Sequence, residues 1–299
     1  MRLLSVALSA AVVAITVSAY AGDAPNGRPA AASPNGATYL LRYKFQQGEE
    51  IRAKVSHIAT IETSIGGTSQ TTEMKSYSTK LWRISAVDPE GAMTIENMVE
   101  SVDLRNKMSG RQEVSYNSQT DKTAPPAYAD VAKSIGKVLS VVTIDPSGKV
   151  VKREDKQPRA MAGGGTIVPP LPKEPIPIGF AWSQPLEVTV SLEGGTTKAI
   201  QTRQRFELEK VDFGVASIAI ETQVLTPVDD PKIRVQLIQR LSKGHLRFDM
   251  SAGRIISQRT DLDETVLGFS GPDSSMHYIA RFTEELVRPE ATTAATKTR

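Results

Sequence analysis

Apolar side chains recur at every second position along most of this chain. Tyr39, Leu41, Tyr43 and Phe45 alternate with Arg42 and Lys44, and Ile51, Ala53, Val55, Ala59 and Ile61 stand opposite Arg52, Lys54, Ser56 and Thr60. Leu186, Val188, Val190 and Leu192 repeat the pattern, as do Ala216, Ile218, Ile220 and Val224, and again Ile233, Val235 and Leu237. A strand turns successive side chains to opposite faces, so a period of two predicts half-buried antiparallel strands. Strands buried on both faces read instead as unbroken apolar runs. Turn residues separate the alternating segments at Gly66-Gly67, Asp88-Pro89-Glu90-Gly91, Asp145-Pro146-Ser147-Gly148, Gly194-Gly195 and Ser251-Ala252-Gly253. One segment departs from the period. After Pro125-Pro126, Tyr128, Val131, Ala132 and Ile135 fall at i, i+3, i+4 and i+7, which predicts a short amphipathic helix near residues 127–137, ended by Gly136. Its apolar side is expected to face the core. The fold expected is mainly β, with two similar lobes of curved antiparallel sheet and one short helix.

The two lobes follow from an internal repeat. Val87-Asp88 and Ile95-Glu96 in the first half match Val211-Asp212 and Ile220-Glu221 in the second. Gly66-Gly67-Thr68 matches Gly194-Gly195-Thr196, and Val55-Ser56 matches Val190-Ser191. Thr143 to Val151 matches Arg247 to Ile256. The matches run collinearly, which is the signature of duplication rather than of chance likeness between hairpins.

Met1-Arg2, the apolar run Leu3 to Val17 and the small-x-small site Ala19-Tyr20-Ala21 read as a secretory signal peptide over residues 1–21. The run is too short and too often broken by Ser and Thr for a transmembrane segment. A Pro/Gly/Ala-rich leader is expected over 22–37, a first lobe over 38–155, a linker over 156–175, a second lobe over 176–288 and a polar tail over 289–299. The linker assignment rests on Gly163-Gly164-Gly165 and on Pro169, Pro170, Pro172 and Pro175, which exclude a helix or central strand. The product expected is a soluble periplasmic or extracellular protein. With no Cys in 299 residues it has no disulfide, thiol nucleophile or lipid-bearing cysteine, so it is not a lipoprotein.

Pro175-Ile176-Pro177-Ile178-Gly179 followed by Trp182 resembles the "PVxVGdsW" opening of a secreted bacterial β-rich family known only as a domain of unknown function. Asp145…Gly148-Lys149-Val150 and Phe248-Asp249…Gly253-Arg254 are similar to that family's "fDpxxGkv" hairpins. The resemblance spans about Thr38 to Val287 and departs from the pattern at Phe180-Ala181, where a polar pair is usual. It implies a two-repeat β fold and brings no catalytic residues. At the level of fold alone, a curved antiparallel sheet with a helical cover is also similar to the periplasmic lipoprotein carriers.

Reactive motifs are missing. His57, His245 and His277 have no metal-binding spacing, and Asp261, Asp263 and Glu264 lack the frame of a calcium loop, so a solvated acidic face is expected there. Ser274-Ser275-Met276-His277 reads as turn chemistry, and Gly163-Gly164-Gly165 is followed by no Lys-Ser/Thr, so it is not a phosphate loop. A net charge of +3 and 5% aromatic residues give no footprint for nucleic acid. Trp82 and Trp182 are expected to anchor the cores. The sequence thus points to no catalytic, metal or cofactor residue. The function expected first is a non-catalytic exported envelope protein acting as a surface binding or assembly module, with a protein or lipid partner. The second reading is a periplasmic carrier that holds an apolar ligand or lipid between curved sheet and helix. A solid interior favours the first and a large cavity the second.

Overall fold

The computed structural model describes residues 36–157 and 167–287. The expected signal peptide, most of the leader, the Gly163–Gly165 run and the tail lie outside them. The protein is mainly β. Its strands are β1 (Thr38–Tyr39), β2 (Glu50–Ile65), β3 (Thr68–Val87), β4 (Met93–Met108), β5 (Val114–Asn117), β6 (Val138–Ile144) and β7 (Val150–Asp155). They continue as β8 (Ile176–Pro177), β9 (Ala181–Ser191), β10 (Thr197–Asp212), β11 (Val215–Val224), β12 (Lys243–Asp249), β13 (Arg254–Leu267) and β14 (Ser274–Leu286). Two helices, α1 (Ala129–Ser134) and α2 (Pro231–Leu237), interrupt the series.

Twelve strands form one antiparallel sheet in the order β7-β6-β4-β3-β2-β14-β13-β12-β11-β10-β9, with β5 pairing β4 at the side. The order contains two runs of like connectivity. β2-β3-β4-β6-β7 and β9-β10-β11-β12-β13 are each a five-stranded meander, and β14 joins them by pairing both β13 and β2. The sequence matches fall at corresponding turns, β2–β3 with β9–β10, β3–β4 with β10–β11, and β6–β7 with β12–β13.

The sheet curls tightly, and the segment before β2 shows by how much. Tyr43 donates its amide to Pro146 O in the β6–β7 turn (2.8 Å), and the next residue, Lys44, donates to Gly253 O in the β12–β13 turn (2.9 Å). On a flat sheet β6 and β13 would stand about 24 Å apart, at roughly 4.8 Å per strand. Adjacent Cα atoms are about 3.8 Å apart, so only a rolled sheet lets consecutive residues reach both turns. The clasping turns are the β6–β7 and β12–β13 hairpins, each opened by an aspartate and closed by a glycine. In each an aspartate folds the turn, Asp145 Oδ1 accepting from Ser147 N (2.8 Å) and Asp249 Oδ1 from Ala252 N (2.8 Å).

Rolling brings both halves into one core. Ile84, Ile95, Val142 and Ile144 of the first meander share a buried cluster with Phe206, Leu208, Ile218 and Phe248 of the second. Leu41, Tyr43 and Phe45 fill its centre. Trp82 and Trp182 therefore anchor a single core rather than one each. Trp182 stacks on Phe206 with centroids 5.5 Å apart and donates Nε1–H to Pro170 O (2.8 Å).

Three segments differ from their sequence expectations. Leu41, Tyr43 and Phe45, expected on one strand face with Tyr39, lie beyond the end of β1 at Tyr39, because the amides of Tyr43 and Lys44 go to two turns rather than to a neighbouring strand. Ile233, Val235 and Leu237 are helical, not a strand. Pro231 opens α2 and Asp230 caps it, accepting from Lys232 N (2.8 Å), while Ile233 and Leu237, four apart, pack on Val190 and Ile200. The described part of the 156–175 segment is not a free connector. Val168 and Leu171 are buried in the main core, Pro169 O accepts from Tyr43 Oη (2.9 Å), and Leu171 N donates to Ser147 O (2.7 Å). The expected helix near 127–137 is present as a turn of 3₁₀ helix at Pro126–Tyr128 followed by α1. Its Tyr128, Val131, Ala132 and Ile135 pack on Val102, Leu104 and Tyr116.

Candidate binding cavity

Long strands give the rolled sheet room for more than a core. β2 and β3 run 16 and 20 residues, far beyond the usual five or six. At the end away from the β2–β3 turn, Ile51, Trp82 and Ile84 join the main core, and nearer the middle of the strands Val55, His57, Met74, Ser76 and Ser78 wall a cavity of about 390 Å³. The floor is Ile167, Val168 and Pro169, and the cover comes from Tyr128 on one side and Gln239 and Arg240 on the other.

Cross-strand pairing explains the wall. Val55 lies opposite Ser78 and Glu284, and His57 opposite Ser76 and Phe282, all on the concave face. In the second meander Gln204 lies between Gln184 and Thr222, and Thr202 lies opposite Leu186. Apolar side chains such as Val55, Leu104, Leu186, Val188, Leu262 and Phe282 thus share the surface with Ser76, Ser78, Gln184, Thr222, Gln258 and Thr260. The polar members are mostly uncharged hydroxyls and amides. The wall is amphipathic.

Charge in the cavity is sparse and mostly compensated. Glu284 pairs with Lys80, whose Nζ sits 4.3 Å from the Trp82 ring centroid. Burial, reinforced by Glu284, pushes the Tyr43 hydroxyl well above its ordinary range, so it remains a donor to Pro169 O. Burial lowers the proton affinity of His57, and its ring has no hydrogen-bond partner among the described residues. Arg240 is also held below its ordinary value by burial and has no ion pair among the described residues.

Of the other residues singled out in the sequence, Asp261 also lines the cavity and the rest lie elsewhere. His277 Nε2 is 2.8 Å from Asp263 Oδ1, and its Nδ1 is 3.8 Å from Glu62, on the face opposite the cavity. Asp261 bridges Arg259 (2.9 Å) and Arg281 (2.6 Å). Glu264 alternates to the other face, so the acidic trio is divided. His245 is exposed beside Glu209 (3.2 Å). Ser274 Oγ donates to Gly271 O (2.7 Å) and closes a turn. No group of three or more His, Asp or Glu among the described residues is placed to hold a metal ion. Sequence reasoning missed Arg240 and the polar belt. The signal for the belt was Ser76 with Ser78, Thr202 with Gln204, and Gln258 with Thr260, polar pairs at alternate positions in long strands.

The fold defines a class: a rolled antiparallel sheet whose concave face holds an open cavity. No family model matches the chain, nor does any curated protein sequence. Likeness to solved structures is distant. Lipovitellin, in a structure of its lipid–protein interactions, is similar over 85% of this chain and 27% of its own, at 11% identity and a TM-score of 0.43. The chain spans about a quarter of that neighbour's length. DynF, from the dynemicin biosynthesis pathway of Micromonospora chersina, aligns over 88% of this chain and 95% of its own, at 7% identity and a TM-score of 0.22. An outer membrane channel of Pseudomonas putida aligns over 82% and 97%, at 8% identity and a TM-score of 0.24. Among the described residues no helix is long and apolar enough to cross a membrane.

Proposed function

We propose that the protein is a carrier that binds an amphipathic ligand in the concave cavity and releases it unaltered. The observation that supports this reading is the cavity itself. Its volume of about 390 Å³ falls within the range of small-molecule sites. A surface module needs no internal space, and a sheet with so many inward apolar residues would otherwise close on itself. The wall also fits the task. Apolar side chains accept a chain, while Ser76, Ser78, Gln184 and Thr222 offer hydrogen bonds that a wholly apolar occupant would leave unmade. Residues 1–21, read as a signal peptide, place the carrier outside the cytoplasm in this reading.

The test is occupancy of the cavity by a neutral apolar dye. The full chain, titrated with N-phenyl-1-naphthylamine, is expected to enhance its fluorescence saturably. Ser78→Trp fills the wall from a half-buried position facing Val55 and Val102. It is expected to weaken dye binding by about tenfold, a loss of roughly 1.4 kcal/mol, with little change in the thermal midpoint. No binding by the wild type, or equal binding by the folded variant, contradicts the reading.

A further inference from the structure

We infer that the ligand carries a single anionic headgroup, a carboxylate or phosphate monoester at the end of an apolar chain, and that Arg240 receives it. This rests on the cavity being the binding site and adds the chemical class of its occupant. Arg240 ends the 3₁₀ turn Ile238–Arg240 that follows α2. Ile238 is buried against Ala59, Ile61 and Leu262, and Leu241 N closes the turn on Ile238 O (3.1 Å), so the backbone that presents the guanidinium is fixed. Arg240 lines the cavity beside Gln239 and Ser242.

The charge ledger of the wall gives the sign. Lys75 lies 3.9 Å from Glu73, Arg105 binds Asp103 (3.0 Å), and Glu284 holds Lys80. Asp261 is committed to Arg259 and Arg281, and Glu187, which alternates with Leu186 and Val188 and so turns to the other face of β9, accepts from Gln201 Nε2 (2.8 Å). Among the described residues Arg240 is the cavity cation without a counter-charge. A half-buried guanidinium loses hydration that only hydrogen-bonded anionic oxygens restore well. Its planar fork matches a carboxylate or phosphate in bidentate fashion. One unpaired cation suits one anionic group rather than a polyphosphate. The neighbouring Leu262, with Leu186, Val188 and Phe282, suits the apolar remainder.

Calorimetric titration of the full chain with decanoate, decyl phosphate, decanol and inorganic phosphate separates the elements of this inference. The wild type is expected to bind at least one of the anionic amphiphiles about tenfold or more tightly than decanol, and inorganic phosphate not measurably. Arg240→Gln is expected to bind decanol as the wild type does and to lose the preference for charge, while Arg240→Lys keeps part of it. Equal binding of decanol and both anions by the wild type overturns the anionic assignment and leaves the cavity reading standing. A preference that survives in Arg240→Gln overturns the role of Arg240. Saturable binding of inorganic phosphate as tight as that of decyl phosphate makes this a site for a free anion and overturns the amphiphile. Failure of every amphiphile to bind refutes the cavity reading itself.

Discussion

A Cβ built on Gly148 would meet Tyr43 Cε2 at 2.7 Å and Pro169 O at 3.0 Å, and its φ of +82° is costly for any side chain. Gly253, its counterpart in the second hairpin, would meet Lys44 N at 2.7 Å. These glycines let the two turns close on the segment that plugs the core. Gly148→Ala combines a left-handed backbone penalty with a backbone clash and is expected to cost about 2–4 kcal/mol, read as a lowered midpoint in chemical denaturation. A loss below half a kcal/mol would mean that the hairpin does not clasp. His57 carries a pH signature. Burial holds its folded proton affinity below the ordinary value near 6.5. The unfolded chain therefore takes up a proton at higher pH than the folded one. The stability concerned is fully present above about pH 6.5 and is lost as pH falls toward the folded value. Scanning calorimetry between about pH 7 and 5 is expected to show a steeper loss for the wild type than for His57→Gln, and identical slopes contradict the burial. The hairpin glycines were legible as turns, because Asp…Gly spacing has a local cause. Arg240 was not, because its significance is a missing partner, and partners are assembled from distant segments.

Elements were legible where one local rule decides them. Period two over long runs identified β2, β9 and β11, since no helix satisfies it. Three residues do not suffice. Ile233, Val235 and Leu237 fit a strand, yet Ile233 and Leu237 also stand at i and i+4, and Asp230-Pro231 supplied the start signal that decides for a helix. The helix also serves the sheet. Gln236 accepts from Ser191 N (2.8 Å) and donates to Ser191 O (2.9 Å), covering the open edge of β9, where Pro185 is tolerated for the same reason. The proline-rich stretch before β8 was read from what prolines forbid. Their carbonyls remain acceptors, and Pro169, Pro170 and Pro172 use them on Tyr43, Trp182 and Arg42, so a segment without regular structure still forms the floor.

At the scale of the whole molecule, two meanders of like connectivity account for the strand order and curl for the site. Two meanders of the same order, joined by β14, share one core instead of building two, because the rolled sheet turns both inward. The meanders were legible through their turns. The cavity was not, since its existence depends on how far the sheet rolls before its sides meet, and no residue spacing encodes that distance. The central claim is that this space is occupied. Native mass spectrometry of the full chain purified from its own host tests it most directly. The account predicts one bound amphiphile per chain, released with an anionic headgroup, and a bare polypeptide mass under conditions that preserve noncovalent complexes would contradict it.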